Sequence, residues 1–366
     1  MMSRMELDRK TSERIKAIGF VCALMVVAIH CAAIPKGWWD GSVDIPKWIV
    51  ALQALGTDTL ARLAVPWFFV ISGFFLVKGI RGVGENDGCC RLCGLFGWWR
   101  SSVAKRMLTL GVPYLLWNLI YYLFKIVTGK YEFEEWHCLD QLIGYDLHNV
   151  PACGQFWYLR NILLYVACAP LFVVLLYYKR IGLFVLLGLL SCWVVGVKWP
   201  FEYMQITDFG YAAYFGAGVY LGLRRCVVDF GKYEGLVRLI VILVTSCAVA
   251  SIVFGAVARN VQIVGISNKV LIIFGLPALW FAGDWIASLT VRWRSLYGLA
   301  FFVYAFHVIL VSITHKITFA VLSPMLYDSV GYLLKIAVGV LGSLVIGIGL
   351  SKIAPNVLKV LCGGRR

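Results

Sequence analysis

Two histidines, two arginines and a serine stand within or beside apolar runs of this chain, and their types limit the chemistry they can do. His30 ends the run Ala17-Ile-Gly-Phe-Val-Cys-Ala-Leu-Met-Val-Val-Ala-Ile29, which follows a basic flank at Arg14 and Lys16. Arg62 interrupts a second apolar stretch, Arg160 lies about one turn into a third, and His307 closes Phe301-Phe-Val-Tyr304-Ala-Phe. Ser72 precedes Gly73 in the second stretch. A charged side chain in hydrocarbon costs about 2.5 kcal/mol or more, so each ionisable group is by default a functional-site hypothesis. Imidazole is suited to moving a proton near neutral pH. Guanidinium suits anionic oxygens, those of a phosphate or of a developing oxyanion. These residues support either group transfer or proton-coupled transport, and by themselves leave both open. The plainer alternatives are a neutral, hydrogen-bonded structural histidine at position 30 and an arginine at 160 that snorkels to the interface.

The elements that must position these groups are membrane spans. Of the 366 residues, 61% are hydrophobic and 14% charged, and the mean hydropathy is +0.82. A soluble domain is about 45–50% apolar and about 25% charged. Here the excess falls in runs long enough to cross about 30 Å of hydrocarbon as helices. The chain therefore reads as an all-α polytopic membrane protein of about ten spans with both termini cytoplasmic.

The orientation follows from the placement of Lys and Arg. Residues 1–16 carry Arg4, Arg9, Lys10, Arg14 and Lys16 and stay inside, so the first span, about 17–34, runs outward and puts His30 in its outer half. Asp58, Arg62 and Pro66 interrupt the next apolar stretch, which reads as an interfacial or re-entrant helix over Trp48–Leu60 and an inward span over Ala64–Ile80. Further spans are expected at about 107–127, 156–178, 182–198, 209–223, 239–258, 270–289, 297–314 and 330–350. The inner loops are basic, at Lys78 to Arg106, Lys179-Arg180, Arg224 to Arg238 and Arg292/Arg294, and 351–366 forms a basic cytoplasmic tail. The outer loop 128–155 is acidic, with Glu132, Glu134, Glu135, Asp140 and Asp146. Topology and anionic lipid thus explain the formal charge of +15, and no nucleic-acid partner is expected.

On this depth map His30, Arg62 and Arg160 share the outer half on three different spans, with Ser72 and His307 nearer the middle. Gly218 and Gly222 form a small-x-x-x-small pair suited to close helix contact. Cys89, Cys90 and Cys93 have no fourth ligand nearby, so no metal site is expected. His137 and His148 read as solvated loop residues and His315 as interfacial. Cys138 and Cys153 share the outer loop, where an oxidising compartment would permit a disulfide.

Several short strings, taken together and in order, give the chain a family resemblance. They are Val-Val-Ala-Ile-His30, Arg62-Leu-Ala-Val-Pro-Trp-Phe-Phe-Val-Ile-Ser-Gly-Phe-Phe-Leu76, Lys105-Arg106 with Pro113-Tyr-Leu-Leu-Trp117, Phe156-Trp-Tyr-Leu-Arg160, Tyr214-Phe-Gly-Ala-Gly-Val-Tyr-Leu221 and Phe302-Val-Tyr-Ala-Phe-His307. They cover nearly the whole chain, which resembles the integral-membrane acyltransferase 3 family of bacterial O-acyltransferases.

The resemblance implies a single membrane-embedded acyltransferase domain over 1–366 in the bacterial inner membrane. It implies an acyl-CoA co-substrate, usually acetyl-CoA, a glycan or other hydroxyl acceptor, and no tightly bound cofactor. His30 takes the family's catalytic position, with Arg62 and Arg160 as its catalytic companions. Ser72, Trp117, Trp157, Tyr304 and His307 are expected to line the substrate site, and Lys16, Lys105 and Arg106 to attract the donor's phosphates. One departure is Gly19, where many members carry an arginine; Lys16 lies one turn below. A homo-oligomer is compatible with this reading and not specified by it.

Overall fold

The computed structural model describes residues 9–31, 34–77, 80, 88–129, 135–144, 151–198, 208–224 and 231–364. Arg4, Lys78, Arg81, Glu132, Glu134, Asp146, His148 and Arg225, and the side chains of Cys89, Cys90, Cys93 and His137, lie outside what is described. Helices account for nearly all of the described residues, and no strand occurs among them. A bilayer core offers backbone groups no water, so a spanning segment must bond to itself, and the helix does so.

In chain order the helices begin with α1 (Arg9–Ile29), α2 (Lys36–Asp40), α3 (Lys47–Gln53) and α4 (Ala64–Val77). They continue with α5 (Gly88–Arg106), α6 (Val112–Val127), α7 (Glu135–Ile143), α8 (Trp157–Ala167), α9 (Ala169–Tyr177), α10 (Lys179–Val195) and α11 (Phe209–Arg224). The last group is α12 (Glu234–Val257), α13 (Val261–Phe281), α14 (Gly283–Leu289), α15 (Ala300–Val321), α16 (Pro324–Leu326), α17 (Tyr332–Ala337), α18 (Ser343–Ile353) and α19 (Pro355–Leu361).

Among the described residues, six continuous helices are long and apolar enough to cross a membrane: Lys47–Val77, Gly94–Val127, Glu234–Val257, Val261–Phe281, Val291–Val321 and Pro324–Ile353. A seventh counts if Gly154–Ala167 and Ala169–Tyr177, bent by 64° at their junction, are one span. The first, fifth and sixth expected spans correspond to α1, α10 and α11, which fall short on these grounds. Charges at Arg9, Lys10, Glu13, Arg14 and Lys16 occupy the first half of α1, while α10 and α11 have 17 and 16 residues, below the usual ~20. The eighth span starts earlier than expected. Asn260 caps α13 by accepting from the Ile263 N–H at 3.0 Å, so Lys269 lies inside the helix rather than in an outer loop.

The described residues divide into two compact units, those within 7–67 and 229–355 and those within 68–228 and 356–366. In the unit holding α1, that helix packs against α14 and α15. Its buried stripe includes Ala17, Ile18, Phe20, Cys22, Ala23, Val26 and Val27. Val27 and Cys31 join Val303, Val311 and Tyr332 in one core cluster. Gly339 lies against Val27 and Val311, where a Cβ would crowd both.

In the other unit, Phe68–Val77 of α4 crosses α11 backbone to backbone. A Cβ at Gly218 would collide with the Val70 carbonyl oxygen, one at Gly73 with that of Phe215, and one at Gly222 would press on Phe74. The Gly218/Gly222 pair therefore has a defined partner, the Val70–Val77 stretch of α4.

Gly218→Val should lower the stability of the purified protein by about 1–3 kcal/mol, the usual cost of overpacking. Thermal unfolding in detergent would read this as a fall in midpoint. Gly235→Ala, where a Cβ meets nothing within 4 Å, should leave the midpoint unchanged or slightly raised.

Candidate active site

His30 lies one residue beyond α1, its N–H donating to the Val27 carbonyl at 3.1 Å. Its side chain is exposed and makes no hydrogen bond among the described residues. Its ring centre lies 5.2 Å from that of His307, with the planes 44° apart. His307 is fully buried (0% exposed). On α15, Val303, His307 and Val311 follow one another at a spacing of four, which puts them on one face, and the two valines flank the histidine in the core cluster with Val27.

The tautomer of His307 follows from its partner. Nδ1 is 2.9 Å from the Val303 carbonyl oxygen, and a carbonyl can only accept, so Nδ1 carries the proton. Nε2 then holds a lone pair, and this atom is buried without a hydrogen-bond partner.

The backbone facing this pair is irregular. Between α3 and α4 the helix continues as a π-helical segment, Ala54–Thr59, and a 3-10 turn, Leu60–Leu63. The break lies at Thr59 (φ −109°, ψ −110°), inside the stretch that Asp58 and Arg62 interrupt in sequence. Pro66 sits in the first turn of α4, where a missing N–H is tolerated. Such departures from α geometry are frequent at functional sites.

Arg62 projects from this turn and pairs with Asp58 at 2.5 Å. It stays 45% exposed, and its charge acts on His30. Thr57 Oγ1 donates to the Ala28 carbonyl at 3.0 Å and lies 3.2 Å from the Tyr332 hydroxyl. This ties the irregular segment to the chain two residues before His30. A Cβ at Gly56 would collide with that same hydroxyl.

Other expected residues of this unit fall into place around the pair. Tyr304 is buried one turn before His307. Lys16 is exposed at the opposite end of α1, 3.7 Å from Glu13 and about 21 Å from His30 along the helix. The Cβ position of Gly19 is open, with nothing within 4 Å.

In the second unit, Arg160 is buried and donates from Nη1 to the Gly144 carbonyl. Tyr114 donates to Ile143 O at 2.8 Å and Asn118 to Leu142 O at 3.2 Å. The three side chains together hold the C-terminal end of α7, which closes on Gly144 in the left-handed region (φ +65°). Arg160 therefore does not simply snorkel. Ser72 Oγ lies 3.2 Å from the Tyr158 hydroxyl. Trp157 is half-buried, 5.1 Å from the Tyr211 ring, while Trp117 is fully buried and donates to Leu361 O at 3.1 Å. Lys105 is exposed and Arg106 half-buried at the end of α5.

Sequence reading missed two partners. Asp58 stands four residues before Arg62, a spacing that itself signals the pair. Lys335, 5% exposed on α17, satisfies the same rule as His30, an ionisable group inside a span. Its Nζ donates to the Tyr327 hydroxyl at 3.3 Å, and that hydroxyl lies 2.5 Å from Nδ1 of His315. Cys138 and Cys153 are free thiols. Among the described residues no group of three or more His, Cys, Asp or Glu side chains could hold a metal ion.

The base of α1 is pinned by charge. Arg14 reaches both Asp284 oxygens, Nε to Oδ1 at 2.9 Å and Nη2 to Oδ2 at 2.7 Å, and Lys10 adds a contact at 3.0 Å. The Arg14 guanidinium also lies 4.7 Å from the centre of the Trp280 ring. Glu13 answers Arg294 at 3.2 Å.

The family model described as an acyltransferase domain matches residues 14–352. The chain belongs to the acyltransferase 3 family. No curated protein and no solved structure matches it. The matched region of this membrane acyltransferase begins at Arg14, the anchor of α1, and includes both histidines and both arginines.

Burial alone would raise the Asp284 carboxyl, but the hydrogen bonds and charges of Arg14 and Lys10 outweigh it and hold the group below its ordinary range. A depressed carboxylate stabilises the fold above its unfolded pKa and loses that contribution as pH falls through the folded value. Asp284→Asn should therefore cost stability at pH 7, by less than about 1 kcal/mol because the pair is partly exposed and screened. The gap to the unmodified protein should close on acidification, as followed by thermal unfolding.

Proposed function

We propose that this acyltransferase moves an acyl group, in the first instance acetyl, from acyl-CoA to a hydroxyl of a surface or exported glycan, with His30 as general base. The observation that carries the reading is an accessible imidazole, free of hydrogen bonds, set against a buried histidine and beside a half-exposed arginine. A general base must reach the proton it takes, and His30 is the exposed member of the pair.

In the proposed reaction a ring nitrogen of His30 takes the proton of the acceptor hydroxyl as its oxygen attacks the thioester carbonyl. The C–O bond forms, the C–S bond breaks, and the proton passes to the departing CoA thiolate. Positive charge from Arg62 stabilises the oxyanion or orients the acceptor. Beside His30, Tyr304 contributes to the substrate site, and Lys16 below it draws the donor's phosphates to the cytoplasmic side; Ser72 and Trp157 contribute to substrate binding, and Lys105 and Arg106 to donor attraction, within their own unit. About ten spans in the bacterial inner membrane, with both termini cytoplasmic, are the topology that goes with this chemistry. The rival reading is a proton-coupled glycan transporter with His30 and His307 as its relay. π-helical turns in both Lys47–Val77 and Pro324–Ile353 resemble the paired broken helices of transporters, whereas family membership favours acyl transfer.

Membranes carrying His30→Ala should lose acceptor-dependent release of free CoA thiol by about 100-fold or more, with an unchanged thermal midpoint. Release at the unmodified rate would remove His30 from the mechanism, and a folded, unmodified protein that never releases thiol would return the transport reading.

Gly19→Arg tests the donor side, since the position has room. The new guanidinium should lower KM for acyl-CoA about fivefold at constant kcat, the worth of one screened charge contact of about 1 kcal/mol. An unchanged KM would place the donor's phosphates elsewhere.

A further inference from the structure

We infer that His307 is a positioning residue that fixes the tautomer of His30. The inference rests on the acyl-transfer reading for its chemical purpose, but its geometry stands without it. His307 has committed Nδ1–H to the Val303 carbonyl, which leaves Nε2 as an acceptor on a fully buried ring with no donor in reach. A buried acceptor without a partner is expensive and is rarely left so. The neighbouring ring that can supply a donor is His30, 5.2 Å away centre to centre. Two ring nitrogens turned toward each other across that separation would lie about 3 Å apart, a hydrogen-bond distance, and the exposed His30 ring must turn into that geometry for the contact to form.

The consequence is chemical. If one ring N–H of His30 donates to His307 Nε2, the other ring nitrogen must carry the lone pair. That nitrogen is then the base in every turnover, rather than in the fraction of molecules holding the right tautomer. A buried carboxylate does this for the histidine of a serine protease; here the orienting acceptor is a neutral imidazole, itself oriented by a backbone carbonyl. The neutral choice suits a site where Arg62 already supplies charge and a second ion would need its own partner in a low-dielectric surround. When His30 takes the hydroxyl proton, the N–H···N contact holds the imidazolium in place until the proton goes to the thiolate. His307 exchanges no proton with the substrate.

Two substitutions separate positioning from packing. His307→Asn keeps an amide donor near Nδ1 for the Val303 carbonyl and loses the acceptor at Nε2. His307→Gln reaches the Nε2 position and can present its oxygen there. Full-length protein labelled with 15N-histidine, in proteoliposomes, reports the two His30 ring nitrogens by NMR, with His30→Ala assigning the signals. The expected result is one His30 tautomer in the unmodified protein and in His307→Gln, and a mixture in His307→Asn. Acyl transfer should follow, with kcat down by about 10- to 100-fold in His307→Asn, as when other orienting contacts of an imidazole are lost. KM should be unchanged, and His307→Gln should retain most of the rate. The same tautomer distribution in all three proteins, or an Asn variant more active than the Gln variant, would overturn the inference. A tautomer lost only in the Asn variant, with no acyl transfer from any protein, would uphold the pairing while removing the acyl-transfer reading.

Discussion

The constraint on which this structure depends is that hydrocarbon cannot hydrogen-bond. Every backbone N–H and C=O placed there must find a partner in the protein. This makes nearly all of the described residues helical, and it also governs where the helices are allowed to fail. Between Ala54 and Leu63 the α-helical pattern gives way to π and 3-10 turns, and neighbouring polar groups accompany that break. Thr57 bonds across to Ala28, Asp58 pairs with Arg62, and Gln53 donates to the Asp328 carbonyl at 2.8 Å. Irregular backbone at membrane depth is tolerated where protein or a wet cavity surrounds it, and Arg62 and the chain just before His30 lie beside this break.

Close packing supplies the rigidity that such a site needs. Lipid tails are as apolar as leucine, so helices in a membrane gain by van der Waals contact and by small residues that let backbones approach. Gly339 against Val27 and Val311 serves this purpose in the unit that carries His30, and Gly73, Gly218 and Gly222 serve it in the other. At the base of α1 the anchoring is electrostatic instead, with Arg14 between the Asp284 carboxylate and the Trp280 ring. Helix α1 is thereby held at its base by charge and along its length by packing, and His30 sits at its free end.

The polar groups divide by what they touch. Arg160 and its neighbours Tyr114 and Asn118 bond to carbonyls that end α7, so at least part of their function is to hold a loop helix in place. Arg62 has a carboxylate partner and keeps much of its surface open. Trp117, matched to the family by its string, is a core residue whose indole N–H is already bonded. Similar residue types thus take on quite different duties once their neighbours are known.

The sequence by itself determined the class of fold, the family, and the short list of groups able to do chemistry. Hydropathy runs and basic loops are local properties, and an ionisable residue in an apolar run is visible without coordinates. It also located the break near Asp58 and Arg62, because charges interrupt an apolar run wherever it is written. Only the tertiary structure decided which of those groups meet. His30 and His307 are 277 positions apart in the chain, and no spacing rule connects them; the packing of α1 on α15 does. The tautomer of His307 depends on a carbonyl one turn away, and the duty of Arg160 on where the end of α7 happens to lie. Lys335 was legible and overlooked, since a lysine inside an apolar run obeys the same rule as His30. Burial, partner and proton position belong to the folded chain because each is set by residues from elsewhere in the sequence.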